Sequence, residues 1–87
     1  MEETMLNKVE QVLPKIFNVQ TVEQNTKEKS LKIKSRISKL MNHHRLYLYC
    51  EEVAGALNMD SVNIILVDWE GKYLDGAKYE RGVDYEK

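Results

Sequence analysis

Cysteine occurs once in the 87 residues, at Cys50, which excludes any disulfide within the chain. The N-terminus has no basic stretch leading into an apolar run and a small-residue cleavage site, so a reducing cytoplasm is the expected compartment. Proline also occurs once and glycine four times, against 43% apolar and 31% charged residues, a balance that belongs to a folded domain and excludes a disordered tail. Long apolar runs are missing: the longest aliphatic stretch is Ile64 to Val67, against the roughly 20 residues that span a bilayer. No membrane partner is expected. There is no glycine-rich phosphate loop and no G-x-S-x-G turn. A second core would leave neither half enough apolar surface to bury, so residues 1–87 read as one domain.

What the chain does have is charge segregated along its length. The net charge is only −1, yet between residues 27 and 50 seven cations (Lys27, Lys29, Lys32, Lys34, Arg36, Lys39 and Arg45) stand against the single acid Glu28. From residue 51 onward nine acids outnumber four cations. A basic middle with acidic flanks suits electrostatic recognition of a partner.

Met5, Leu6, Val9, Val12, Leu13, Ile16 and Phe17 recur at helical spacing, with Glu2 and Glu3 in the first turn; Pro14 predicts that the helix kinks or ends near Leu13, and the period continuing to Phe17 favours a kink. Asn18 to Ser30 has no clear period apart from Val19 and Val22 and reads as a loop or an irregular edge. From Leu31 to Leu40 two periods compete. Ile33, Ile37, Leu40, Met41 and His44 fit a helix, while Leu31, Ile33, Ser35 and Ile37 alternate as a strand would; the helix collects more matches and is the expectation. A further helix through Leu46, Cys50, Val53, Ala54 and Leu57 ends at Asn58. Val62 to Asp68 reads as a buried strand, Trp69 to Gly71 as a turn and Lys72 to Tyr79 as a returning strand, with a fraying tail from Arg81 to Lys87. The fold class is therefore α+β, N-terminal amphipathic helices on a C-terminal antiparallel hairpin. A two-stranded hairpin is marginal alone, so a homodimer could complete it.

His43, His44 and Cys50 are the only ligands of the type transition metals favour, too few for a closed zinc site, and neither metal nor cofactor is expected. Cys50 and His43 could meet on one helix face as nucleophile and base. Cys50 nevertheless shares the apolar stripe with Leu46 and Val53, where burial makes a thiol inert, so no enzymatic activity is expected.

Two resemblances bear on function. Ala54, Leu57, Asn58, Met59, Asp60, Asn63, Ile64 and Val67 have a spacing similar to a helix-turn-helix motif, which implies DNA binding. Val62, Ile65 and Leu66 would then face the groove, followed by Asp68 and Glu70, and such groups repel DNA; a strand buries them and is preferred. Residues 31–79, through Glu52-Val53-Ala54-Gly55-Ala56-Leu57, Val62-Asn63-Ile64-Ile65-Leu66-Val67 and Glu70-Gly71-Lys72-Tyr73-Leu74, resemble the opening of GAF and PAS sensor domains of the CodY type. That resemblance implies a regulatory or dimerising role.

The leading expectation is a small regulatory or inhibitory protein acting by protein–protein contact. One surface would be the basic segment and the other the hairpin face with Trp69, Glu70, Tyr73, Asp75 and Tyr79, since Tyr and Trp combine large rigid area with a polar tip. The alternative is a nucleic-acid-associated protein using residues 27–45, whose lysines outnumber arginines five to two and so favour contact with phosphate over base readout.

Overall fold

A computed structural model describes residues 4–83. Thr4 opens helix α1 (Met5–Val12), its hydroxyl accepting the Asn7 N–H at 3.1 Å. Pro14 ends this helix rather than kinking it. The residue before a proline is driven out of the helical region, and Leu13 sits extended at φ −84°, ψ 144°. A single 3-10 turn (Lys15–Phe17) then returns Phe17 to the core, which is why the apolar period outlasts the helix. Glu2 and Glu3 lie outside the described residues.

Strand β1 (Val19–Asn25) follows where a loop or an irregular edge was expected, and β2 (Ser30–Arg36) where a helix was expected. Helix α2 (His43–Leu57) is capped by the Asn42 side chain, which accepts the N–H groups of His44 and Arg45, and it ends at Asn58 in the left-handed conformation, φ 56°. Strands β3 (Ser61–Val67) and β4 (Tyr73–Glu80) complete an α+β fold.

The four strands form one mixed sheet in the order β1-β2-β3-β4. The outer pairs are antiparallel and the central pair, β2 with β3, is parallel. Parallel neighbours need a crossover, and α2 supplies it. The period-two reading of residues 31–37 therefore prevails because β2 is an inner strand: Leu31, Ile33 and Ser35 sit beside Val62, Ile64 and Leu66, all buried. Tertiary pairing overrides the helix propensity of lysine and leucine there. Strand β1 escapes the pattern because it is a polar edge, half-buried only at Val19, Gln20 and Val22, with a bulge between Val19 and Thr21 that breaks the alternation.

Both helices cover one face of the sheet. Val9 from α1 and Leu46, Cys50, Val53 and Ala54 from α2 join Phe17, the buried β2 and β3 side chains and Ala77 of β4 in one core. The opposite face carries no helix among the described residues. Of the expected fraying tail, Arg81 is tied back, donating its backbone N–H to the Asp60 carbonyl at 2.8 Å, and residues 84–87 lie outside the described residues.

Candidate functional site

Alternation along a strand sends successive side chains to opposite faces, so the residues that do not enter the core define the helix-free surface. From β2 these are Lys32, Lys34 and Arg36, two residues and about 6.6 Å apart in a row. Register places Asn63, Ile65 and Val67 of β3 beside them, and Glu23 and Thr21 of β1 on the other flank. Lys78 of β4 stands opposite Asn63 and Gly76 opposite Ile65.

Tyr73 reaches this face through the irregularity in the β3–β4 register between Leu66 and Val67. The extra residue lets Leu74 pack against the core while Tyr73 turns outward, 66% exposed. Its ring lies across Gly76: a Cβ at that position would come within 3.2 Å of the Tyr73 hydroxyl and 3.4 Å of the Ile64 carbonyl. A strand glycine thus leaves the space that seats the aromatic ring.

Trp69 is held at the same end by the β3–β4 turn. One Asp68 carboxylate oxygen accepts the N–H groups of Glu70 at 2.9 Å and Lys72 at 2.8 Å, and Gly71 supplies the left-handed φ of 88°. The Arg36 guanidinium carbon lies 5.5 Å from the Trp69 ring centroid, a cation–π distance, while Trp69 as a whole is 61% exposed. Val67 is buried at 3% exposure yet stands apart from the main core, under this outer layer. A shallow groove of about 320 Å³ runs between Lys32, Lys34, Ile65, Val67, Gly71 and Tyr73, with Thr21 and Glu23 on its wall. A second hollow of about 630 Å³ continues the surface toward Asn25, Ser30, Asn63 and Lys78. Lys78 pairs with Glu80 at 2.9 Å. The face presents four cations, Lys32, Lys34, Arg36 and Lys78, against the carboxylates Glu23 and Glu80.

The residues singled out in the sequence divide accordingly. Lys32, Lys34, Arg36, Trp69 and Tyr73, drawn from two supposed surfaces, come together on one. Lys27 and Lys29 stand at its end in the β1–β2 turn, where the Asn25 side chain accepts the Lys27 and Glu28 N–H groups. Glu70 stays in the β3–β4 turn. Lys39 lies in the connection to α2, and Arg45 is on α2, across the sheet. Asp75 and Tyr79 point to the helix side: Asp75 meets His43 Nδ1 at 3.2 Å, and the Tyr79 and Tyr47 rings are 5.9 Å apart. Sequence reasoning missed Thr21, Asn63, Ile65, Val67 and Lys78. The polar positions Ser61, Asn63 and Lys78 within the hairpin are the signal that this strand pair has an outer face.

Cys50 is fully buried, and burial pushes its thiol up to about 12. Its sulfur donates to the Ala77 carbonyl at 3.4 Å, which leaves no thiolate for nucleophilic attack near neutral pH. Among the described residues no three His, Cys, Asp or Glu side chains converge to hold a metal ion, and no helix is long and apolar enough to cross a membrane. No protein-family model, curated protein or solved structure matches the chain.

Proposed function

We propose that this chain is a small, non-enzymatic nucleic-acid-binding protein whose working surface is the helix-free face of its sheet. The observation that carries the reading is the row Lys32, Lys34 and Arg36 on one strand face beside the exposed rings of Tyr73 and Trp69. Lysines on a rigid strand neutralise phosphates without sequence readout, and release of counterions supplies the affinity. The net charge of −1 does not oppose this, because it is not spread evenly: Glu51 and Glu52 lie on α2, while Asp60, Asp68 and Glu70 stand in turns at the ends of the face and leave the row of cations on β2 uninterrupted.

Salt-dependent binding to a mixed-sequence oligonucleotide tests the proposal. Lys32→Gln/Lys34→Gln removes two phosphate contacts and should lower the slope of log K against log salt concentration by about 1.4 to 1.8. Lys39→Gln/Arg45→Gln, outside the face, should leave the slope unchanged. Equal loss in both variants would point to diffuse attraction by the basic segment, and no binding at low salt would remove the reading.

A second reading, a cytoplasmic regulatory or inhibitory protein working by protein contact, is favoured by one feature. Trp69 is a rigid exposed anchor on a braced turn beside Glu70, the kind of side chain that dominates protein interfaces. The resemblance to sensor-domain openings and a homodimer formed through an open sheet edge would belong to this reading.

A further inference from the structure

We infer that the nucleic acid is unpaired, with its bases stacked on Tyr73 and Trp69 while its phosphates follow Lys32, Lys34 and Arg36. This rests on the nucleic-acid reading above and specifies the ligand. The two halves of the surface have different chemistry. One half is a row of cations at even spacing. The other is a pair of aromatic side chains, 66% and 61% exposed, each fixed by its own device: Tyr73 over Gly76, and Trp69 on the Asp68-braced turn beside Arg36.

A duplex hides the faces of its bases in the stack and presents only phosphates and groove edges. Exposed rings then have nothing to contact, and a flat sheet does not enter a groove as a helix or a two-stranded ribbon does. An unpaired strand offers base faces and backbone together, and aromatic side chains next to a basic track are the means by which single strands are held with little sequence preference. The half-buried Ile65 and the buried Val67 between the two halves give the sugar and base edges an apolar floor. Neutral hydrogen-bonding groups, Thr21 and Asn63, flank it.

The chain contains a single tryptophan, so its fluorescence reports on Trp69 alone. Unpaired RNA and DNA oligonucleotides and a duplex of equal length should be titrated into the whole chain, following oligonucleotide anisotropy and tryptophan emission together. The expected result is tighter binding of unpaired strands than of the duplex, with Trp69 emission quenched at saturation. Tyr73→Leu should weaken single-strand binding by roughly tenfold, while Tyr73→Phe, which keeps the stacking ring, should bind as the parent does. Tyr73 is exposed, so both variants should fold, and circular dichroism checks that they do. Duplex binding as tight as single-strand binding, with Trp69 emission unchanged, would overturn the stacking inference and leave the nucleic-acid reading standing. Failure of every oligonucleotide to bind at low salt would overturn both.

Discussion

Cys50 illustrates how one side chain's environment decides its chemistry. Its Sγ lies within the core, and burial raises its pKa from about 9 to about 12. The unfolded chain loses this proton first, so between those values the folded state binds more protons than the unfolded state. Stability from the buried neutral thiol is therefore intact below about pH 9 and lost as pH rises toward 12. At pH 8 an alkylating reagent should leave the native thiol unmodified over hours and modify it at once in denaturant. Rapid native alkylation would show that the core around Cys50 opens.

At the scale of elements, β2 is the informative case. Its two faces do different work: Leu31, Ile33 and Ser35 face the helices, and Lys32, Lys34 and Arg36 face outward. Ile33 is fully buried between β1 and β3, so Ile33→Ala should cost about 2–5 kcal/mol in urea unfolding. Ser35 is equally buried, but its hydroxyl has no hydrogen-bond partner among the described residues. Ser35→Ala should therefore be neutral or stabilise by up to about 1 kcal/mol. A loss of several kcal/mol at Ser35 would show that the hydroxyl is satisfied in solution. The alternation that makes this strand is legible in Leu31 to Ile37, yet it loses to a helical count because propensity and local spacing do not register the parallel neighbour, β3. Strand β1 is harder to see, since a polar edge with a bulge buries too little for any period to emerge. The end of α1 is legible in Pro14 once the constraint on Leu13 is given its weight.

At the scale of the whole molecule, the charge segregation visible along the chain becomes a spatial arrangement that the linear order conceals. The basic segment is split: Lys32, Lys34 and Arg36 reach the open face, while Arg45 goes across the sheet on α2. The hairpin is split as well, with Tyr73 and Trp69 outward and Asp75 and Tyr79 toward α2. Five of the twelve binding residues nominated from the sequence meet on one surface. Their meeting depends on the pairing of β2 with β3 across an intervening helix and on the register irregularity that frees Tyr73, neither of which has a local sequence signature. Residue types were legible; their convergence was not.

If the chain acts through the helix-free face of its sheet, a ligand must perturb that face and leave the helices alone. Backbone amide chemical-shift mapping during titration with an unpaired oligonucleotide reads this out residue by residue. Shifts concentrated in Lys32 to Arg36, Asn63 to Val67 and Trp69 to Lys78, with α1 and the exposed side of α2 unchanged, are the predicted result. Shifts centred on Arg45, Glu51 and Glu52 of α2, with the sheet unmoved, would contradict it.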